Sequence, residues 1–146
     1  EQETEELWAI RRGLSAAVAA LAPNRVSEDI SVPRNSLPEV VRRIRSIAEK
    51  YKFTIAVFGH AGDGNLHPSV LCDLSNHEEA ERVHQAVEEI FKTALAVGGT
   101  LSGEHGIGTT KQPYITLALG EAGVKTLKAI KQALDPKGIL NPGKIW

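Results

Sequence analysis

The stretch FTIAVFGHAGDGNLHPSVLCD, residues 53–73, predicts the hairpin around which the fold is organised. Its first part, FTIAVFGH, is a continuous apolar run of strand length, which is typical of a strand covered on both faces. Its second part, NLHPSVLCD, alternates between more apolar and more polar positions, as a strand with one buried face does. The connection AGDG suits a four-residue hairpin loop, because its glycines can adopt the positive φ that such turns require. The sequence therefore predicts two antiparallel strands here.

Helical periodicity lies on both sides of this hairpin. Residues 35–51 and 77–97 each place their apolar side chains on one stripe, and asparagine or serine residues precede both stretches as candidate N-caps. The same spacing predicts a first helix and a last helix towards the two ends of the chain. The stripe of the first helix is Leu7, Ile10, Leu14, Val18 and Leu21, and that of the last helix is Val124, Leu127, Ile130 and Leu134.

Two shorter segments complete the predicted order of elements. SEDISVP, residues 27–33, and TLS, residues 100–102, are short candidate strands, and the second is followed by a glycine-rich loop, GEHGIGTTK. After the first helix the order is therefore βαββαβ. This order indicates an α+β fold of the ferredoxin-like type, an antiparallel sheet with two helices on one face and a further helix at each end.

Composition narrows the classes of function. The chain has 146 residues, of which 42% are hydrophobic, and this size predicts one domain. With 17 basic and 18 acidic residues it has no positive surplus for nucleic acid. A single cysteine, the lack of a long apolar run and the lack of a signal peptide predict a cytoplasmic protein without a transmembrane segment. The chain contains no methionine and opens on EQETEE, so we expect it to be a piece of a longer protein.

The hairpin register brings two histidines together. With a four-residue loop His60 faces Asn65, and because side chains alternate with period two, His67 shares their face as a diagonal neighbour. Diagonal separations of about 7 Å allow two imidazoles to bind one metal ion. The competing interpretation is that each histidine is a capping or surface group.

The segment SGEHGIG, residues 102–108, supplies an acid and a third histidine among three glycines. Two histidines and one carboxylate are the ligand set of an open zinc site, or of manganese or iron with further oxygen ligands. Glu104 could complete such a set with His60 and His67.

Three motifs together resemble a known family. GHAGDGNLHP, GGTLSGEHGIGTTK and LDPKGILNPGK are similar, in order and spacing, to the C-terminal part of the FAD-linked oxidases of the vanillyl-alcohol oxidase type. The resemblance is strongest to the glycolate oxidase FAD-binding subunit and to D-lactate dehydrogenase. It implies an enzyme that oxidises a 2-hydroxy acid to the 2-oxo acid with hydride transfer to FAD. It also implies that residues 1–146 are the end of the substrate domain plus a C-terminal segment, inactive without the absent FAD-binding domain.

The resemblance implies a role for each candidate residue. A divalent metal, zinc, manganese or iron, would bind the substrate hydroxyl, and His105 would take its proton. Arg11 would hold the substrate carboxylate through paired donors, and Asn65 would orient the histidines or contact substrate. The metal ligands implied are His60, His67 and Glu104, and the residues implied near FAD are Lys111, Asn141 and Lys144.

Two serines narrow the substrate that the resemblance implies. Ser27 and Ser69 stand where hydroxyglutarate-type relatives carry a lysine and an asparagine, so a small acid such as glycolate or lactate is expected. The expected partners are this acid and an electron-transfer subunit, which could bring the protein to a membrane. Two other hypotheses remain open at this stage, a stand-alone metal-dependent hydrolase and a ferredoxin-like binding module without chemistry.

Overall fold

The computed structural model describes residues 2–146, which form four helices and four strands. None of these helices is long and apolar enough to span a membrane. Short 3₁₀ turns lead into the second and fourth helices. The elements are α1 (Gln2–Ala19), β1 (Asn24–Ser27), β2 (Ile30–Ser31), α2 (Leu37–Tyr51), β3 (Thr54–His60), β4 (Asn65–Cys72), α3 (His77–Ala96) and α4 (Ile115–Leu134).

The sheet is antiparallel and is organised around β4. On one side β3 pairs with β4 so that His60 lies opposite Asn65, in the register that the loop length predicts. On the other side β4 pairs with β1 and then with β2, which are separated by residues 28–29. Beyond β2 a single antiparallel bridge joins Ser31 to Thr100. The α+β architecture is thereby confirmed, with α1 and α4 as the flanking helices. In the predicted βαββαβ order, β1 and β2 together correspond to the first strand and the Thr100 bridge to the last.

Two predicted strands differ from the structure. The strand predicted over residues 27–33 begins earlier, at Asn24, and is interrupted where the side chain of Asp29 enters a buried hydrogen-bond network. The strand predicted over residues 100–102 is reduced to the Thr100 bridge. Leu101 and Ser102 lead instead into a loop whose residues 103–105 bind Asp29 through their backbone N–H groups.

The burial of the hairpin strands also differs from expectation. We expected β3 to be covered on both faces, but most of its residues are only half-buried. All eight residues of β4 are buried instead. The reason is topology, since β4 has a neighbouring strand on each side, whereas β3 is at the edge of the sheet.

The helices α2 and α3 pack on one face of the sheet and enclose the core. Asn76 caps α3, accepting hydrogen bonds from the N–H groups of Glu78 and Glu79. Pro38 lies in the first turn of α2, where its missing N–H costs no helical hydrogen bond. Each fully buried valine, isoleucine or phenylalanine contributes about 1.5–3 kcal/mol by leaving water. Fully buried core residues include Ile30, Val40, Ile44, Val70, Ile90 and Phe91.

The flanking helices keep most of their apolar residues at the surface. Of the predicted stripe on α1 only Val18 is buried, and Ile10 is 70% exposed. The helix α4 begins at Ile115, well before the predicted stripe at Val124, and is kinked at Gly120, where φ is 62°. The predicted apolar stripes of these two helices therefore form surface in this chain.

Candidate active site

The hairpin places two imidazoles side by side at the end of the sheet. His60 is the last residue of β3, and His67 is the third residue of β4. Their ring centroids are 5.4 Å apart and the rings are perpendicular. The turn between the strands depends on Gly64, whose φ of 73° is unfavourable for other residues and whose backbone lies close to Val32. A local feature of the sequence thus creates the histidine pair.

Glu104 reaches this pair from the loop that follows Thr100. Its Oε1 atom lies 3.0 Å from Nε2 of His67 and 3.5 Å from Nε2 of His60. One potential ligand atom from each of the three residues lies within 4.8 Å of the others. Two imidazole nitrogens and a carboxylate oxygen at such separations fit a divalent cation such as zinc, manganese or iron.

The electrostatic setting of His67 suits a metal ligand. Its side chain is buried, and this burial lowers its pKa against the opposing attraction of the Glu104 carboxylate. A lowered pKa keeps the imidazole neutral, which is the form that can bind a metal ion. His60 is more exposed and lies at the mouth of the cluster.

His105 stacks beside the cluster rather than joining it. Its ring lies 5.3 Å from that of His67, with an angle of 20° between the ring planes. Its Nδ1 atom is 3.6 Å from the carboxylate of Asp29, and half of its side chain is exposed. When one ring nitrogen of a histidine faces a carboxylate and the other is accessible, the accessible nitrogen can exchange a proton with a ligand.

Arg11 reaches the same site from α1. It lines a cavity of about 290 Å³ together with Phe58, His60 and His67. This volume is at the lower end of the range of about 300–1,000 Å³ that is usual for small-molecule pockets. The structure therefore brings the predicted carboxylate-binding residue and the two histidines to one cavity.

Asn65 lies beneath the cluster with an unsatisfied oxygen. It is buried, and within residues 2–146 its Oδ1 atom has no hydrogen-bond partner. Its amide packs directly against Gly103, where a Cβ atom would lie 2.6 Å from Oδ1. A buried oxygen without a donor costs about 1–3 kcal/mol, so it marks a position where a ligand or water would be favourable.

The three residues predicted to lie near FAD have different environments. The ammonium of Lys111 is buried and donates to the carboxylate of Asp29 and to the carbonyl oxygen of Leu101. Lys144 is exposed and borders a cleft that His105 also lines. Asn141 is exposed in the C-terminal tail. Their role toward a flavin stays a prediction.

Sequence reasoning missed Asp29, which is completely buried at 0% exposure. It accepts hydrogen bonds from three successive backbone N–H groups of the loop that carries Glu104 and His105. Burial alone would raise its pKa, but hydrogen bonds from Lys111 and from that loop outweigh burial and lower it. The available signal was an acidic pair, Glu28 and Asp29, inside a segment that otherwise predicts a strand.

The antiparallel sheet thus carries a cluster of two histidines and one carboxylate, with a third histidine stacked beside it. The family model of FAD linked oxidases, C-terminal domain, matches residues 1–145. The chain belongs to this family, and the resemblance stated from its motifs is confirmed.

Relatives of the chain are hydroxy acid oxidoreductases. It is 47% identical over 146 residues to glycolate oxidase subunit GlcD of Bacillus subtilis, covering all of this chain and 31% of that protein. It is 34% identical over 147 residues to a probable mitochondrial D-lactate dehydrogenase of Danio rerio, covering 99% of this chain and 30% of that protein. The chain thus spans about a third of the length of the curated relatives it matches.

A solved structure supports the fold. The 4-ethylphenol oxidase of Gulosibacter chungangensis, in its isoeugenol complex, superposes with a TM-score of 0.63 at 20% identity. The superposition covers 96% of this chain and 29% of the oxidase. The fold of this chain therefore recurs in an oxidase with which it shares only 20% sequence identity.

Proposed function

We propose that this chain is the metal-binding and substrate-binding part of an FAD-dependent 2-hydroxy acid oxidoreductase of the glycolate oxidase or D-lactate dehydrogenase type. The observation that carries the proposal is that Arg11, His60 and His67 line one cavity in a chain of this family, with Glu104 against both of these histidines and His105 stacked on His67. The names of its relatives support the reaction class. Family membership favours this function over a stand-alone hydrolase or a binding module.

The proposed reaction divides the work among the residues of the site. His60, His67 and Glu104 would hold the divalent metal. When bound, the metal would polarise the substrate hydroxyl, and FAD would accept the hydride from the α-carbon. His105 would take the hydroxyl proton at Nε2, because its Nδ1 faces Asp29. Oxidation would then give the 2-oxo acid, with the hydroxyl proton on this histidine and the hydride on FAD.

Arg11 would orient the substrate through its carboxylate. A guanidinium offers two parallel N–H donors to a carboxylate, which fixes the direction of the substrate as well as its position. Its place on the wall of the cavity beside His60 and His67 supports this role. The carboxylate would lie towards α1 and the hydroxyl towards the metal ligands.

The environment of the two serines supports a small substrate. The hydroxyls of Ser27 and Ser69 are hydrogen-bonded to each other at 2.7 Å. This pair offers hydroxyl groups and no cation for a second carboxylate. We therefore favour glycolate or lactate over hydroxyglutarate.

The test is oxidation by the FAD-loaded protein that carries this chain, with glycolate and D-lactate as substrates and a dye as electron acceptor. We expect His105→Ala to lower kcat by about 10²–10⁴ through loss of the base. His84→Ala, which changes an exposed histidine on α3, is the matched control and should leave kcat unchanged. A flavin-loaded protein that oxidises no 2-hydroxy acid would refute the proposal.

An electron-transfer partner subunit and a cytoplasmic location, with contact to a membrane through that subunit, are part of the same proposal. The description of the Bacillus subtilis relative as a glycolate oxidase subunit supports the partner. Co-purification of a redox protein with the full assembly would test it.

A further inference from the structure

We propose that Asp29 is a positioning residue, which holds residues 102–106 in the shape that brings Glu104 to the two histidines. The inference rests on the metal site of the proposed function. Asp29 is not itself a candidate metal ligand, but its buried carboxylate would shape the loop that carries one.

The first argument is the backbone of the loop. Oδ2 of Asp29 accepts hydrogen bonds from the N–H groups of Gly103 at 2.8 Å, Glu104 at 2.6 Å and His105 at 3.0 Å. Successive N–H groups that point to one place form an anion-binding concavity. Here the anion is the carboxylate of Asp29, so the loop wraps around a side chain from the interruption between β1 and β2.

Ser102 closes the loop from its other side. Its Oγ atom donates to Asp29 at 3.2 Å and accepts a hydrogen bond from the N–H of Gly106 at 2.7 Å. Gly106 has a φ of 78°, a conformation that favours glycine. Both ends of the segment are therefore tied, directly or through one hydroxyl, to the same carboxylate.

Lys111 supplies the opposite charge that a buried carboxylate requires. The side chain of Lys111 is 4% exposed, and its ammonium donates to Oδ1 of Asp29. The ammonium also donates to the backbone carbonyl oxygen of Asp29 at 2.7 Å and to that of Leu101 at 2.8 Å. Oε2 of Glu28 lies 3.7 Å from the same ammonium. A buried ion pair adds little net stability, but separating its partners would leave an unpaired buried charge. The pair therefore keeps Asp29 and Lys111 in place.

The loop that Asp29 holds carries two functional candidates. Glu104 binds Asp29 with its N–H and approaches both histidines with its carboxylate, so a shift of its backbone would move the carboxylate away from them. His105 contacts Asp29 with its N–H and lies near it with Nδ1. Loss of the Asp29 charge should therefore weaken metal binding.

A second buried carboxylate offers a matched control. Asp135 also accepts hydrogen bonds from two backbone N–H groups, those of Ile139 and Leu140, and pairs with Lys131 at 2.6 Å. These contacts involve the C-terminal tail and none of the metal-ligand candidates. Asp29→Asn and Asp135→Asn thus make the same chemical change in similar networks, only one of which holds the site.

The experiment measures the Zn²⁺ affinity of the FAD-loaded protein that carries this chain, by competition with a chromophoric chelator. We expect Asp29→Asn to weaken zinc binding about 10-fold to 100-fold, the usual effect of losing a residue that orients metal ligands. Hydrogen exchange should show loss of protection at residues 103–105 in this variant alone. Asp135→Asn should retain the affinity of the unsubstituted chain, even where its melting temperature falls.

A double variant keeps the test decisive if Asp29→Asn does not fold. Asp29→Asn with Lys111→Met removes the unpaired buried ammonium, and should restore folding without restoring zinc affinity. Zinc binding by a folded Asp29 variant as tight as that of the unsubstituted chain would overturn the inference alone. Absence of zinc binding by the unsubstituted FAD-loaded protein would refute the metal site and the inference together.

Discussion

Replacing Gly103 by alanine would place a methyl group against the amide of Asn65. The added Cβ would lie 2.6 Å from both Cγ and Oδ1 of Asn65 and 2.8 Å from its Nδ2. Ordinary carbon contacts are about 3.5–4.0 Å, so the two groups must separate by about 1 Å. Asn65 is buried in the central strand, and the loop is therefore the part that moves.

A loop shift of this size should be measurable in metal binding. Ligand distances in a metal site are held to within about 0.2 Å, and Glu104 directly follows the substituted residue. We expect Gly103→Ala to weaken zinc binding about tenfold, which corresponds to about 1.4 kcal/mol. Overpacking should also lower the free energy of unfolding by about 1–3 kcal/mol.

The assay is chelator competition on the variant, with urea denaturation as the measure of stability. Gly62→Ala is the control, because it makes the same change in the hairpin loop, where an added Cβ would have no neighbour within 4 Å. Its zinc affinity should equal that of the unsubstituted chain. Unchanged zinc affinity in a folded Gly103→Ala variant would refute the close packing of Asn65 on the loop.

Three further predictions concern stability. Because burial lowers the pKa of His67, the folded chain binds fewer protons there than the unfolded chain, so the free energy of unfolding should fall as the pH drops below about 6.5. Urea titrations above and below that pH should show a smaller pH dependence of stability in His67→Gln than in the unsubstituted chain. An equal pH dependence in the two proteins would contradict this prediction. Phe91→Ala removes a fully buried ring that packs on Tyr114 and should cost about 3–5 kcal/mol in urea denaturation. Ile10→Ala, on the exposed stripe of α1, should change stability by less than about 0.5 kcal/mol, and a loss as large as that of Phe91→Ala would show that the stripe is packed.

The hairpin and its histidine pair could be predicted because their causes are local. The loop length sets the register, and the alternation of side chains then places His67 beside His60. The helices α2 and α3 follow in the same way from apolar spacing, and α3 also from its capping residue Asn76, whereas the predicted cap of α2 makes no side-chain hydrogen bond to the helix. Each of these features depends on residues that are near one another in the chain.

The network around Asp29 could not be predicted in that way. Its partners, the loop N–H groups and Lys111, are far along the chain, and their approach depends on the whole sheet being formed. Burial of the hairpin strands also depends on topology, since only strand order makes β4 central. On α1, amphipathic spacing identifies an apolar stripe but says nothing about what covers it.

The residues of the metal cluster come together at different stages of folding. His60 and His67 come from one hairpin, which forms by closing a short loop, whereas Glu104 arrives only when its loop is captured by Asp29. The complete set of ligands should therefore be absent from the rate-limiting step of folding. Zinc would then act on kinetics asymmetrically, slowing unfolding while leaving the refolding rate almost unchanged.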